Sequence, residues 1–312
     1  MNQSKPAVIQ HALTEKDGAI VAAIRAQVAP MKGKMVGPEA RPMFDHIMEQ
    51  TPEAAGVDYQ DGIVGGVPGT WCRPRNAHAG NVILYTHGGA YVMGSVKAYR
   101  NFVGQIAART NTVTFAADYR LAPEHTFPAA VDDALAIYRS LVDQGAQRIL
   151  IAGDSAGGGL ALVLLALVHA EAAAGKGLAP RAAIILSPWT DLALTGDSHQ
   201  SRAEAELFLT REALESARNL YAGAHDPTDP RVSPLYGEPA GLPPIQLHVG
   251  TSEILLDDTL RYVERARAEG VNAEAHVWDG MPHVFPASVG TFDAAEEALS
   301  LMAKFAENKL RT

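Results

Sequence analysis

Three places in this chain hold the residue types that acyl transfer needs. Gly153-Asp154-Ser155-Ala156-Gly157 has the form G-x-S-x-G, follows an apolar run ending near Ala152, and precedes the helix-forming Leu160-Ala161-Leu162-Val163-Leu164-Leu165. A serine on so tight a strand-to-helix turn stands clear of the sheet at a helix N-terminus, where partial positive charge favours a developing anion. Its neighbours must be small, and Gly153, Ala156, Gly157 and Gly158 are. A phosphate loop would need Lys before the Ser, and a dinucleotide loop would space its glycines G-x-G-x-x-G. Ser155 is therefore expected to be a nucleophile.

The second place is His87-Gly88-Gly89-Ala90, directly after the apolar segment 81–86. Adjacent glycines leave backbone N–H groups open to an incoming carbonyl oxygen. The N–H groups of Gly88 and Gly89, with that of Ala156 after the nucleophile, are expected to form an oxyanion hole, each donor worth roughly 3 kcal/mol in the transition state. His87 reads as a residue that bonds loop backbone, because the base comes last in the chain order nucleophile, acid, histidine.

That order gives the third place. His283, in Gly280-Met281-Pro282-His283-Val284-Phe285, alone lies in a loop after the last strand-like run. His248 and His276 fall inside strands and read as packing or surface residues. The acid that orients the imidazole should follow the preceding strand, 245–249. Glu253 lies in the turn after Gly250, whereas Asp257 falls in the first turn of the next helix, where a carboxylate already has a role beside the helix dipole. Glu253 is the expected acid and Asp257 the alternative.

These residues need a scaffold, and the periodicity supplies one. Segments 81–86, 112–117, 148–152, 182–186, 245–249 and 273–278 are short, apolar and bounded by turn residues, as buried parallel strands are. Between them, 97–109, 129–144, 156–173, 255–269 and 291–308 repeat apolar residues at helical spacing. Upstream, 57–64 and 70–73 flank Gly65-Gly66-Val67-Pro68-Gly69 as a hairpin, which brings the expected strands to eight. Segments 1–50 and 189–239 fall outside the alternation and are expected to form a cap on a single domain, with a helix at 210–221 capped by Thr210. An insertion after a strand's C-terminal end sits where such sheets bind ligands.

Composition narrows the partners. The 312 residues carry 47% hydrophobic and 20% charged side chains, and the net charge of −9 comes without a basic stripe, so nucleic acid is not an expected partner. The start, Met1-Asn2-Gln3-Ser4-Lys5-Pro6, lacks a basic and then apolar leader, and the expected location is the cytoplasm. The most apolar run, 160–168, is shorter than the ~20 residues of a membrane span and reads as a buried helix rather than as stable membrane insertion. Cys72 is the only cysteine and reads as core. The eleven histidines show no paired metal-ligand spacing, so no metal and no cofactor is expected.

With these residues in view, the chain from about residue 80 resembles the hormone-sensitive-lipase-like group of α/β-hydrolases, which includes many bacterial esterases. The resemblance is carried by His87-Gly88-Gly89-Ala90, Asp118-Tyr119-Arg120-Leu121-Ala122-Pro123-Glu124, Phe127-Pro128-Ala129-Ala130, Gly153-Asp154-Ser155-Ala156-Gly157-Gly158 and the His283 loop. It implies an α/β-hydrolase fold, a mostly parallel eight-stranded sheet flanked by helices with a helical cap. It also implies a polar cluster of Asp118, Arg120 and Glu124 that holds the loop by the site, and a homodimer through the last helix and an edge strand. Two departures stand out. Ala90 replaces a third glycine, and Glu253-Ile254-Leu255-Leu256-Asp257 stands where the group has Asp-Pro-Leu-x-Asp, so Glu253 aligns with the usual acid. The expected activity is hydrolysis of short- to medium-chain carboxylic esters through an acyl-enzyme. Lactone or amide hydrolysis by the same residues is the alternative among enzymes. A small-molecule receptor without turnover is the alternative from another class, as the gibberellin receptors resemble this group.

Overall fold

The computed structural model describes residues 7–311; the leader reading of residues 1–6 lies outside them. The chain forms β1 (Val8–His11), α1 (Glu15–Val28), α2 (Arg41–Met48), β2 (Val57–Val64), β3 (Val67–Pro74), β4 (Asn81–Thr86), α3 (Val96–Thr110), β5 (Val113–Ala117) and α4 (Ala129–Asp143). It continues with β6 (Arg148–Asp154), α5 (Ser155–Ala173), β7 (Ala182–Leu186), α6 (Ser198–Ser201), α7 (Arg211–Ala222), β8 (Ile245–Gly250), α8 (Leu256–Ala268), β9 (Ala273–Trp278) and α9 (Asp293–Leu310). All strands belong to one sheet in the order β1-β9-β8-β7-β6-β4-β5-β3-β2. Only the β2/β3 and β3/β5 pairs are antiparallel.

The sheet has nine strands where eight were expected. The addition is β1, which runs parallel to β9 with Val8 opposite Ala275 and His11 opposite Trp278. Four residues with no long apolar run give little periodicity to read, and the strand is specified by its partner: His11 stacks on Trp278 at 3.7 Å between ring centroids and meets His276 Nδ1 at 2.9 Å. β1, not β9, therefore forms that edge of the sheet.

The hairpin is also tighter than expected. Its turn is Gly65-Gly66 alone, and Val64 pairs with Val67. Gly69, which marks a turn in the sequence, lies inside β3 because a Cβ there would approach Ala116 O at 2.4 Å and the Phe115 ring at 2.3 Å.

Strand residues alternate between two cores, as a sheet covered on both faces requires. Ile83, Tyr85, Leu150 and Ile184 pack with Phe102, Ile106, Leu299 and Met302 from α3 and α9. Leu84, Ile151, Ile185 and Leu247 face Leu160, Leu164, Ile137 and Val263 from α5, α4 and α8. Each such fully buried aliphatic side chain contributes ~1.5–3 kcal/mol relative to exposure. α5 is the one described helix long and apolar enough to cross a membrane, and most of it is buried in this core. Its full span of 19 residues exceeds the run 160–168 that stands out in the sequence.

After β4 the chain moves to β5 on one side and then crosses to β6 on the other. The strand order thus reverses at β4. A crevice opens at such a point beyond the strands' C-terminal ends, which is where open α/β sheets bind ligands. The two segments outside the alternation meet above it: Gly33 N donates to Phe208 O at 2.9 Å, and Arg25 donates to the carbonyls of Glu204 at 3.0 Å and Ala205 at 2.7 Å. α7 begins as expected, with the Thr210 side chain accepting from Ala213 N.

Candidate active site

β6 ends at Asp154, and the backbone then reverses through Ser155 in the left-handed region, at φ 53°, before entering α5. A serine in that conformation is strained, and the close packing of its neighbours holds it there. A Cβ on Gly157 would lie 2.2 Å from both Thr86 O and His87 O, so only glycine lets α5 sit against the end of β4. This contact brings the His87 loop beside the serine.

Three side chains from separate loops then form a hydrogen-bonded chain. Ser155 Oγ lies 2.9 Å from His283 Nε2, and His283 Nδ1 lies 2.7 Å from Glu253 Oε2. Glu253 is completely buried. Its Oε1 accepts from Gly250 N at 2.6 Å and Ser187 Oγ at 2.8 Å. A carboxylate against Nδ1 holds the proton there, which leaves the Nε2 lone pair facing the serine hydroxyl. Burial alone would lower the His283 pKa, but the Glu253 hydrogen bond and the charges of Glu253, Glu206 and Asp154 raise it above the ordinary value. Asp257 is not part of this chain. Its carboxylate accepts Ser198 N at 2.8 Å and its own N–H bonds Ser198 Oγ, so it ties α8 to α6.

The expected donor set for an oxyanion needs correction. Gly88 N already donates to Asp154 Oδ1 at 2.9 Å, within a buried cluster in which Asp154 also accepts from Tyr85 Oη at 2.7 Å and Tyr99 Oη at 2.9 Å. A Cβ on Gly88 would lie 2.3 Å from Asp154 Oδ2. Gly88 is thus an anchor, and the residues of this loop that line the cavity at Ser155 are Gly89 and Ala90. Both have positive φ, 117° and 54°. His87 is buried, with Nδ1 2.7 Å from Gly88 O and its ring stacked on Tyr119, in keeping with the loop-bonding role read from the sequence.

Asp118, Arg120 and Glu124 make three separate links rather than one cluster. Asp118 accepts Val96 N at the start of α3, Arg120 pairs with Asp133 of α4, and Glu124 takes both terminal nitrogens of Arg41 from α2 at 2.7 Å. The last link depends on α2, whose position the local sequence does not disclose. Cys72 is fully buried and its thiol is pushed up to about 12, so it is core. His248 and His276 stack on each other inside β8 and β9.

The cavity at Ser155 and His283 measures about 160 Å³. Met35, Val36 and Phe44 wall it from the N-terminal segment, and Phe208, Leu209 and Leu214 from the second insertion. Sequence reasoning missed Ser187 and Glu206. Ser187 Oγ donates to Glu253 and accepts from Val284 N at 3.1 Å, joining the acid to the histidine loop. Its only signal is its place after β7, and it becomes legible only when β7 and β8 are known to be neighbours.

Residues 83–287 match a family model described as the alpha/beta hydrolase fold. An acetyl-hydrolase of Streptomyces hygroscopicus is 39% identical over 224 residues, 71% of this chain and 73% of that protein. An esterase of Acinetobacter venetianus is 35% identical over 269 residues, 85% of this chain and 87% of its own length. Among solved structures, an esterase from the bacterial hormone-sensitive lipase family superposes with a TM-score of 0.87 at 34% identity, covering 96% of this chain and 100% of that one. Sheet order, serine turn and these similarities agree: the chain belongs to the α/β-hydrolase family, among bacterial esterases of the hormone-sensitive-lipase type.

Proposed function

We propose that the protein is a serine carboxylesterase that hydrolyses short- to medium-chain carboxylic esters through an acyl-enzyme, with segments 7–50 and 189–239 forming a cap over the site. The observation that carries this is the hydrogen-bonded chain from Ser155 through His283 to Glu253, opening onto a small apolar cavity. A non-catalytic receptor has no use for a base aligned on a serine hydroxyl. The cavity volume of about 160 Å³ is below the ~300–1,000 Å³ of sites that enclose drug-sized ligands, which favours a small acyl group.

In this reading, Ser155 Oγ attacks the ester carbonyl carbon while His283 Nε2 takes the hydroxyl proton. Glu253 keeps the imidazole oriented and stabilises its positive form. The N–H groups of Gly89, Ala90 and Ala156 receive the negative charge that develops on the carbonyl oxygen. His283 then protonates the departing alcohol oxygen as the C–O bond breaks. Water, deprotonated by the same imidazole, attacks the acyl-serine and releases the acid.

The test is hydrolysis of p-nitrophenyl acetate and butyrate by the purified protein and by Ser155→Ala. The reading expects a loss of at least ~10³-fold in the variant, with fluorophosphonate labelling confined to Ser155 in the wild type. Turnover undiminished in Ser155→Ala would refute it.

A further inference from the structure

Glu206 lies between α6 and α7 and is 1% exposed. Its Oε1 accepts Phe208 N at 3.0 Å and Leu209 N at 3.4 Å, and its Oε2 accepts Ile254 N at 3.1 Å. Phe208 and Leu209 wall the cavity, while Ile254 follows Glu253. One carboxylate therefore fastens the pocket wall to the loop that carries the acid.

The clamp is also a charge. Burial penalises the carboxylate, and the like charge of Glu253 opposes it further. Three backbone N–H donors and the charge of His283 act the other way, and burial prevails, so the Glu206 pKa lies above the ordinary carboxylate value. An amide has one acceptor oxygen and could keep the Phe208 and Leu209 bonds or the Ile254 bond, not both, so the two-sided clamp calls for a carboxylate and brings a desolvated negative charge with it. The group on which positive charge develops during the proposed reaction is His283, and three carboxylates raise its proton affinity: Glu253, Glu206 and Asp154. Glu253 touches the ring, and Asp154 is held by Tyr85, Tyr99 and Gly88.

We infer that Glu206 is a positioning residue for the reaction: it clamps the Phe208-Leu209 wall onto the Glu253 loop, and its negative charge stabilises the imidazolium that His283 becomes on taking the Ser155 proton. The inference rests on the proposed roles of Ser155, His283 and Glu253.

The test compares pH profiles of kcat and kcat/KM for wild type, Glu206→Gln and Glu206→Ala on p-nitrophenyl acetate, with fluorophosphonate labelling to establish that each variant keeps an intact serine. Loss of the charge makes the imidazolium less stable. In Glu206→Gln the acid limb of kcat/KM should move to lower pH by about half to one unit, and kcat should fall roughly tenfold. In Glu206→Ala, formate, charged and with two acceptor oxygens, should restore rate in the vacated space, and formamide, neutral and with one, should not. An acid limb at the wild-type position in Glu206→Gln, or equal rescue by formate and formamide in Glu206→Ala, overturns the inference and leaves the esterase reading intact. Undiminished turnover in Ser155→Ala removes both.

Discussion

Replacing Glu253 by Gln changes one atom, and the surrounding bonds determine where that atom goes. Gln has a single acceptor oxygen. Gly250 N lies 2.6 Å from Oε1 and can only donate, so the amide oxygen must stay on that side. Ser187 Oγ, which already accepts Val284 N, can keep its proton directed at the same oxygen. The amide nitrogen is then left against His283 Nδ1, 2.7 Å away, and two donors cannot face each other there. The imidazole responds by moving its proton to Nε2, which directs N–H rather than a lone pair at Ser155 Oγ. It can no longer act as base without leaving this tautomer. A wrong-tautomer substitution of this kind in a serine hydrolase costs about 10⁴ in kcat, or roughly 5.4 kcal/mol of barrier at 1.36 kcal/mol per tenfold. Asp257→Asn keeps one carbonyl oxygen that can still accept Ser198 N, so it should cost at most one part-buried hydrogen bond, ~0.5–1.5 kcal/mol of stability, and leave kcat within about threefold. The assay is steady-state hydrolysis of p-nitrophenyl acetate beside the rate of fluorophosphonate labelling, which should fall in parallel for Glu253→Gln because both steps need the base. Retention of kcat within tenfold in Glu253→Gln, or a larger loss in Asp257→Asn, would refute the reasoning.

Two further outcomes follow from the same geometry. His283 must be neutral to accept a proton, and its pKa is raised, so kcat/KM should fall as pH drops through a midpoint above the ordinary histidine value; a midpoint below that value in a pH–rate profile would contradict the net effect of Glu253, Glu206 and Asp154. Gly157→Ala places a methyl 2.2 Å from two backbone carbonyl oxygens, which cannot yield as side chains do, so thermal unfolding should show a loss of ~3 kcal/mol or more, or no soluble protein; an unchanged Tm would mean that α5 and β4 are not locked together.

The sheet was legible because its strands are buried on both faces and its helices are amphipathic, so each element announces itself within a few residues. β6, β7, β8 and β9 begin at the residues read from periodicity. Ser155 and His283 were legible because local rules single them out: a serine between glycines after a strand, and a histidine in the last strand's loop. Elements and residues defined by distant partners were not. β1 is four residues long and exists through pairing with β9, whose residues follow it by more than 260 positions. Ser187 and Glu206 are ordinary polar residues in irregular stretches until the fold sets Glu253 and Ile254 beside them. Gly69 misled for the opposite reason. A glycine reads as a turn locally, whereas here the Phe115 ring on the neighbouring strand excludes a side chain.

The misassignment of Gly88 shows that the variable position of G-x-S-x-G carries information. Two glycines after a strand suggest two open N–H groups, and nothing near them in the sequence says that one is occupied. The occupant is Asp154, the residue before the nucleophile, whose carboxylate sits at the end of β6 and reaches across to β4's loop. Because Tyr85 and Tyr99 also donate to that carboxylate, its position is fixed by β4 and α3 as well as by the serine turn. The loop offering Gly89 and Ala90 is thereby joined to the backbone that offers Ser155 and Ala156. Oxyanion stabilisation depends on donors that need no reorganisation when charge develops, and a shift of a few tenths of an ångström between two independent loops would weaken it. One aspartate hydrogen-bonded to both sides removes that freedom. In the proposed mechanism, the small residues at 153 and 157, which let the two strands' ends approach, and the acid at 154, which ties them, are thus parts of a single device for holding nucleophile and oxyanion donors in register.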